Sequence, residues 1–234
     1  MCPRLAANHK ISVSARNAYE GRIGAYLDYG ALNRYFVKLR NMNPSLVCLQ
    51  FMGDIFHGNV LAYHRKLIFD LLRRLDGRHI FLILTKRPEN ISVEIPPNCW
   101  LGVSGHDGMS AYNRMSLVHE MGLAVGRRWL SLEPFLGMRK VGMPVGEMCA
   151  TFGFGWVACG PETGAGRRRY PHGNGFVGIA DIAESCGDFG VAFYDKRSLT
   201  PKEIMAGISR RREYPQNFMV RLGGKNASTS EKKA

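Results

Sequence analysis

The stretch Phe81-Leu82-Ile83-Leu84-Thr85-Lys86-Arg87-Pro88-Glu89 changes within one residue from a short apolar run to polar and charged side chains. A short apolar run of this kind is typical of a strand buried on both faces of a parallel sheet. Pro88 cannot donate to a neighbouring strand and disfavours helical geometry at Arg87, so we expect the strand to end there. Ligands bind at the carboxyl ends of such strands, so Lys86 and Arg87 are candidates to hold a carboxylate or phosphate. A solvated turn is the alternative interpretation.

The same pattern recurs along the chain, with further apolar runs at residues 46–52, 100–104, 128–132, 155–159 and 191–194. Helical stretches can be drawn between several of these runs. One of them, over residues 60–76, has Arg65, Lys66, Arg73 and Arg74 on its predicted polar side. Repeated β-α units predict an α/β fold, in which a parallel sheet of about six to eight strands curves into a full or partial (β/α) barrel.

The chain is predicted to form a single barrel-like domain over residues 1–198. Within it, residues 136–153 are rich in Gly, Met and Pro, which favours a loop or small insertion. Residues 199–222 are predicted to form a C-terminal helical extension, because Thr200 and Pro201 suit the start of a helix. The small and polar residues 223–234 are predicted to be a disordered tail.

The net charge of +13 predicts an acidic partner, either nucleic acid or an acidic small molecule, although a merely solvated basic surface is the alternative. Arg167, Arg168 and Arg169 lie together in a glycine-rich loop and are candidate phosphate contacts. No stretch approaches the roughly 18 apolar residues of a membrane span, and the N-terminus lacks the apolar core of a secretory signal. The cysteines form no C-x-x-C pair, so we expect small core residues in a reducing cytoplasm and no metal site.

Charged residues at other predicted strand ends are further candidates for a site. Glu133 and Glu162 each follow an apolar run and are candidate catalytic acid–base groups, or partners in ion pairs with Lys86 or Arg87. Lys196 follows the last predicted strand and could join them. Asp54 follows the run at 46–52, where its carboxylate could accept from an ammonium group or cap a helix.

Six motifs, in order, resemble those of a functionally uncharacterised family of phage and bacterial proteins related to radical S-adenosylmethionine enzymes. They are Met52-Gly-Asp-Ile-Phe-His, Leu84-Thr-Lys-Arg-Pro-Glu, Trp100-Leu-Gly-Val-Ser, Ser131-Leu-Glu-Pro-Phe-Leu-Gly, Trp156-Val-Ala-Cys-Gly-Pro-Glu-Thr-Gly and Phe193-Tyr-Asp-Lys. The resemblance implies a radical-S-adenosylmethionine-like barrel. It also implies a [4Fe–4S] cluster at which the cluster-bearing form would cleave S-adenosylmethionine reductively. In such enzymes the region of Asp54 approaches the amino group of the methionyl moiety.

The cluster motif of that family, C-x-K-I-S-x-G-C-x-N-C-Y, resembles residues 8–19 of this chain at Lys10, Ile11, Ser12, Asn17 and Tyr19, but not at its cysteines. Ala15 and Ala18 stand at two of the cysteine positions, and the third falls at Asn8, or at Ala7 with a one-residue shift. Alanine cannot ligate iron, because such clusters are held by thiolates. We therefore expect this chain to bind no cluster and to perform no radical chemistry. Natural loss and engineered replacement of the cysteines both remain open.

Three functions follow from the sequence. The first is a radical-S-adenosylmethionine-like protein of unknown substrate that is inactive in this form. The second is a non-catalytic binding module for nucleic acid or an acidic ligand. The third is an enzyme that uses the carboxylates and Lys86 for non-radical chemistry. The sequence determines neither the reaction nor the oligomeric state.

Overall fold

The structure is a computed structural model that describes residues 27–49, 53–122, 127–139, 142–161, 176–197, 210–216 and 218, together with residues 201 and 205. The strands are β1 (Leu46–Leu49), β2 (Ile80–Thr85), β3 (Cys99–Gly105), β4 (Arg128–Leu132), β5 (Met138–Arg139), β6 (Trp156–Cys159), β7 (Phe176–Val177) and β8 (Ala192–Asp195). The helices are α1 (Tyr29–Asn41), α2 (Ala62–Arg73), α3 (Gly108–Glu120), α4 (Val145–Phe152) and α5 (Ile179–Asp188), with a 3-10 turn at Pro88–Asn90.

The main sheet has six parallel strands in the order β1-β2-β3-β4-β6-β8 and curls into a half-barrel. All six apolar runs of the sequence form its strands, so the prediction of an α/β fold with a partial parallel barrel is confirmed. The two short strands β5 and β7 pair antiparallel outside this sheet. In the described part of the chain, no helix has both the length and the apolar character needed to cross a bilayer.

The helices cover the convex face of the sheet and enclose the larger hydrophobic core. Helix α2 connects β1 to β2, α3 connects β3 to β4, α4 lies between β4 and β6, and α5 lies between β6 and β8. The carboxyl ends of all six strands therefore lie at one edge of the half-barrel, where the connections to the next helices begin.

Arg65 does not lie on the polar side of α2, as we predicted, but is only 6% exposed. Arg65 shares the buried stripe of α2 with Ile68, Phe69 and Leu72. These positions follow the i, i+3, i+4, i+7 spacing of a core-facing stripe. We predicted that Arg65 faces solvent because it is charged. Its spacing from Ile68, Phe69 and Leu72 instead places it on the side of α2 that faces the core.

The prediction of a loop or small insertion over residues 136–153 is wrong, because residues 145–152 form helix α4. Its glycines have specific structural roles. A Cβ atom on Gly146 would overlap the carbonyl of Ser185 in α5, so glycine allows the two helices to approach closely. Gly153 ends α4 in the left-handed conformation with φ 71°, which glycine adopts readily.

The concave face of the sheet carries a second cluster of aromatic side chains, which we call the aromatic floor. Its tryptophans lie at the first or second positions of β3, β4 and β6, Tyr194 lies near the end of β8, and the other members follow β8. The full set is Trp100, Trp129, Trp156, Tyr194, Tyr214 and Phe218. Gly102 lies beside Trp129, and a Cβ atom at Gly102 would overlap its indole ring. The absence of a side chain at Gly102 therefore allows the indole to lie flat across β3.

The described residues 210–216 and 218 return along the edge strand β8 and cover part of the concave face. Arg212 forms an antiparallel bridge with Tyr194, and the amide of Glu213 donates to the carbonyl of Phe193 at 2.8 Å. The indole N–H of Trp156 donates to the carbonyl of Glu213 at 3.0 Å. Most of the predicted extension and the whole predicted tail lie outside the described residues.

Candidate functional site

Five of the charged residues that the sequence indicated as site candidates lie at the carboxyl ends of the parallel strands. We call this group the rim. Its members are Asp54, Lys86, Arg87, Glu133 and Lys196. Asp54 lies in the connection after β1, and Lys86 and Arg87 follow β2 directly. Glu133 follows β4 and Lys196 follows β8. The topology thus brings to one edge residues separated by more than a hundred positions in sequence.

Asp54 joins the loop after β1 to the end of β2. Its Oδ1 accepts from the Phe56 amide at 3.0 Å and from the Thr85 hydroxyl at 2.8 Å. Its Oδ2 accepts from the Lys86 amide at 3.0 Å and lies 3.4 Å from Nη1 of Arg87. The carboxylate is 14% exposed and is oriented by these donors. Asp54 therefore positions the start of the rim, and only a small part of it is open to a ligand.

Lys86 and Arg87 differ in how firmly they are held. The Arg87 guanidinium is 39% exposed and contacts Asp54, so its position is partly fixed. The Lys86 side chain is exposed, and its ammonium has no hydrogen-bond or ion-pair partner among the described residues. Lys86 is therefore the rim cation most available to an anionic ligand.

Arg114 supports the ends of two strands, a role that the sequence did not reveal. It projects from α3, and its Nε donates to the carbonyl of Lys86 at 3.1 Å. Its Nη1 donates to the carbonyl of Ser104 at the end of β3. The sequence did contain a signal for this role. An arginine two turns into the helix that follows a strand can reach the last backbone carbonyls of that strand.

Glu133 and Lys196 form an ion pair that spans the carboxyl end of β6. Their side chains are 38% and 30% exposed, and the Lys196 ammonium donates to Oε2 of Glu133. Gly160 lies between them, and a Cβ atom there would be 2.9 Å from the Cβ of Lys196. The partner of Glu133 is thus Lys196, and not Lys86 or Arg87 as we considered from the sequence.

The ion pair between Asp195 and Arg197 lies immediately beneath Lys196. Asp195 is only 2% exposed; its Oδ2 accepts from Nη2 of Arg197 at 2.7 Å, and its Oδ1 accepts from Nε at 3.1 Å. Two parallel bonds of this kind fix the orientation of both groups. The backbone amide of Lys196 donates to the carbonyl of Cys159 at 2.8 Å. Lys196 is therefore held by its backbone and by Glu133, whereas the Lys86 ammonium has no such partner in the part of the chain that the structure describes.

Arg65 orders the two loops that carry the β1 and β2 ends of the rim. Its Nε donates to the carbonyl of Ile55 at 3.1 Å, and its Nη2 donates to the carbonyl of His57 at 3.0 Å. Its Nη1 donates to the carbonyl of Asn90 at 3.0 Å. One buried guanidinium thus joins the loop after β1 to the turn after β2 without a carboxylate partner.

His106 and Asp107 form a further side-chain contact at the end of β3, which the sequence did not single out. His106 Nε2 lies 2.9 Å from Oδ2 of Asp107, and Asp107 caps α3 by accepting from the Ser110 amide at 2.8 Å. Partial burial would by itself raise the pKa of Asp107, but the hydrogen bonds from Ser110 and the nearby His106 lower that pKa below its usual value. We therefore expect Asp107 to be ionised at neutral pH.

The described cysteines are mostly core residues, as we expected. Cys99, Cys149, Cys159 and Cys186 are buried, whereas Cys48 on the edge strand β1 is exposed. Burial raises the pKa of the Cys186 thiol to about 12 and raises that of Cys159 further. The described ranges contain no group of three His, Cys, Asp or Glu side chains placed to hold a metal ion.

Several predicted site residues lie outside the described part of the chain, so their predicted roles stay predictions. They are Glu162, the former cluster positions Ala15 and Ala18, and the basic residues Arg167, Arg168 and Arg169.

The family model described as "Protein of unknown function (DUF5131)" matches residues 12–217, which include all six strands of the half-barrel and the whole rim. The chain belongs to this family. No curated protein and no solved structure matches the chain. The family description names no reaction, cofactor or ligand. The family match thus covers the strands and the rim, but it assigns no chemical role to any of their residues.

Proposed function

We propose that this chain is a half-barrel of the radical S-adenosylmethionine type that binds a small charged ligand at its rim and performs no radical chemistry. The observation that carries the proposal is the convergence of Asp54, Arg87, Glu133 and Lys196 at the carboxyl ends of parallel strands. This is the edge at which (β/α) barrels bind their ligands. The order of the motifs along the chain supports the same relation.

The rim offers groups of both signs to a ligand that carries both charges. Lys86 and Arg87 are donors for a carboxylate or phosphate, and arginine adds the possibility of two parallel bonds. Glu133 and the exposed part of Asp54 are acceptors for an ammonium group. S-adenosylmethionine carries an ammonium, a carboxylate and ribose hydroxyls, so its chemistry suits this set of groups.

The residues of this chain do not suit an iron–sulfur cluster. Ala15 and Ala18 provide methyl groups where thiolates are required, and the buried thiols of the described core are held protonated. The cluster-bearing form, with cysteines at these positions, would be the one that cleaves S-adenosylmethionine reductively. In the present chain the rim would still bind the ligand but would not catalyse its cleavage.

The relation to radical enzymes is tested by reconstituting this chain beside a variant with Ala15→Cys, Ala18→Cys and either Ala7→Cys or Asn8→Cys. We expect iron, sulfide and the visible spectrum of a [4Fe–4S] cluster in the restored variant alone. If the restored variant takes up no cluster, the relation to radical S-adenosylmethionine enzymes is wrong.

Ligand binding by the present chain is tested separately by calorimetry with S-adenosylmethionine and S-adenosylhomocysteine. We expect binding that is weakened at least about tenfold by Glu133→Gln, which removes one charge-assisted contact. Lys66→Gln, on the exposed side of α2, is the matched control and should leave binding unchanged. Equal affinity of the wild type and Glu133→Gln for these ligands would show that Glu133 of the rim does not bind them, which would contradict the proposal.

The Glu133–Lys196 pair also supports a second candidate, an enzyme that uses these groups for non-radical acid–base chemistry. A carboxylate next to an ammonium at the open end of a barrel is a suitable proton donor and acceptor set. In this case Glu133→Gln and Glu162→Gln would both abolish turnover of the substrate. Full activity in either variant would exclude that residue from the mechanism.

A further inference from the structure

A pocket lies between the start of α4, helix α5 and the small sheet of β5 and β7. Its volume is about 290 Å³. This is slightly below the range that is typical of small-molecule sites, so it is suited to one or two side chains of a peptide. None of the five rim residues lines this pocket, so a partner bound here is separate from a ligand at the rim.

Much of the pocket is lined by apolar side chains. They are Met138, Met143, Val145, Val177, Ile182 and Phe189. Met143 is 38% exposed and Phe189 is 44% exposed, so both present apolar surface to solvent. Methionine adapts its shape to different partners, and methionine and aromatic side chains are enriched in protein interfaces. The pocket can therefore accept an apolar side chain of a partner.

Acidic side chains of α5 border the same pocket. The helix carries Asp181, Glu184 and Asp188 and no basic residue, and all three acidic residues line the pocket. Their i, i+3, i+7 spacing places them on one side of the helix. Asp181 caps α5 by accepting from the Gly178 amide at 2.6 Å. Glu184 and Asp188 are exposed, and neither forms a hydrogen bond or ion pair with a described residue.

The charge of this pocket is opposite to that of the chain as a whole, which has a net charge of +13. Arg211 contacts α5 through the carbonyl of Ala183, but its guanidinium pairs with Glu213 and not with the acidic residues of the pocket. Glu184 and Asp188 therefore keep their charge available to an external cation. Complementary charge favours a basic partner over a neutral or acidic one.

We propose that this pocket, which we call the acidic pocket, binds a basic segment of a partner protein. One apolar side chain of the segment enters the pocket beside Met143 and Phe189, and lysine or arginine residues next to it contact Glu184 and Asp188. These two carboxylates are one helical turn apart, about 6 Å along the axis, so basic residues close to a single apolar anchor can reach both. The buried anchor supplies most of the affinity, and the charges select the partner.

Fluorescence anisotropy on the full-length chain tests the proposal with four labelled peptides of the sequence Gly-Lys-Arg-X-Arg-Lys-Gly, in which X is Phe, Leu, Met or Gly. We expect the first three to bind at least about tenfold more tightly than the glycine peptide, because only they bury an apolar side chain. Glu184→Gln with Asp188→Asn should weaken their binding about tenfold and make it less sensitive to salt. Phe189→Ala should reduce the difference between the phenylalanine and glycine peptides.

Matched controls separate the acidic pocket from general charge and exposed apolar surface. Glu94→Gln with Glu120→Gln makes the same change in net charge at exposed residues outside the pocket, and Tyr63→Ala removes an exposed ring of α2. Both should bind the peptides as the wild type does, while circular dichroism confirms that all variants are folded.

Three results would overturn the proposal. They are equal affinity for the four peptides, equal losses in the control variants, and a wild-type dimer that Glu184→Gln with Asp188→Asn dissociates. The last result, measured by sedimentation velocity without peptide, would identify a second copy of this chain as the occupant of the acidic pocket.

Discussion

The tryptophans of the aromatic floor lie near the amino ends of their strands, whereas the rim lies at the carboxyl ends, and the two regions differ in burial and in charge. On the floor, Trp129 is 1% exposed and Trp156 is 5% exposed, and their rings lie 5.3 Å apart. On the rim, Glu133 and Lys196 are 38% and 30% exposed and are joined by charge. The same strands contribute to both regions, so the difference arises from position along each strand.

This difference separates stability from binding. Large aromatic side chains that leave water provide much of the free energy of folding, and they close the concave face at the end where the strands begin. Charged pairs that are half-exposed contribute little to stability but keep polar groups available. The half-barrel thus buries aromatic side chains at one end and exposes charged side chains at the other.

The largest effect is expected from Trp129→Ala on the floor. Removing a buried indole leaves a cavity and should lower the free energy of unfolding by about 3–5 kcal/mol, measured by urea denaturation. Gly102→Ala should lower it by about 1–3 kcal/mol, because its Cβ would overlap the same indole. Gly58→Ala is the control, since a Cβ there meets no atom within 4 Å. If neither Trp129→Ala nor Gly102→Ala lowered the free energy of unfolding, the aromatic floor would not be the region that stabilises the fold.

Arg65→Met should have the second-largest effect, although Arg65 is far from the floor. The substitution leaves the buried carbonyl of Ile55 and the partly buried carbonyl of Asn90 without their donor and should lower the free energy of unfolding by about 3 kcal/mol. Arg73→Met, a half-exposed arginine on the same helix, should lower it by less than about 1 kcal/mol. Equal effects of the two substitutions would show that Arg65 does not order the loops of the rim.

A smaller and pH-dependent effect is expected at Glu213, which fixes the returning C-terminal segment. Partial burial would raise the pKa of Glu213, but hydrogen bonds from Arg211 and from the Phe193 amide lower that pKa below its usual value. Its contribution to stability is therefore present above the unfolded value of about 4.3 and is lost as the pH falls through the folded pKa.

Urea denaturation between pH 3 and pH 7 tests this expectation. The wild type should lose more stability on acidification than Glu213→Gln, which cannot ionise. Parallel curves for the two proteins would exclude an ionised Glu213 as an anchor of the segment.

The smallest effect on stability is expected from Glu133→Gln on the rim. An ion pair of this exposure contributes under about 1 kcal/mol, so the free energy of unfolding should hardly change. The same variant should lose ligand affinity, as described above. A loss of stability comparable to that of Trp129→Ala would contradict the division between floor and rim.

The elements that the sequence predicted correctly are those with a strong local signal. Each strand of the half-barrel is a short apolar run, and Pro88 marks the end of β2 as expected. Helix α4 was missed because Gly146 and Gly153 resemble loop residues, whereas one of them permits helix packing and the other ends the helix. Arg65 was wrongly predicted to face solvent because it is charged, although its spacing from Ile68, Phe69 and Leu72 indicates the buried side of α2.

For the candidate site, the sequence by itself determined which residues reach the rim. A charged residue directly after a buried strand must lie at the sheet edge, because the chain leaves the sheet there. Only the tertiary structure decided the pairings, such as Lys196 with Glu133 and Arg87 with Asp54. The order of the strands sets these distances, and it does not follow from local sequence because it depends on how the whole sheet assembles. The glycine at position 160 is given by the sequence, but only the structure shows that it lies between Glu133 and Lys196.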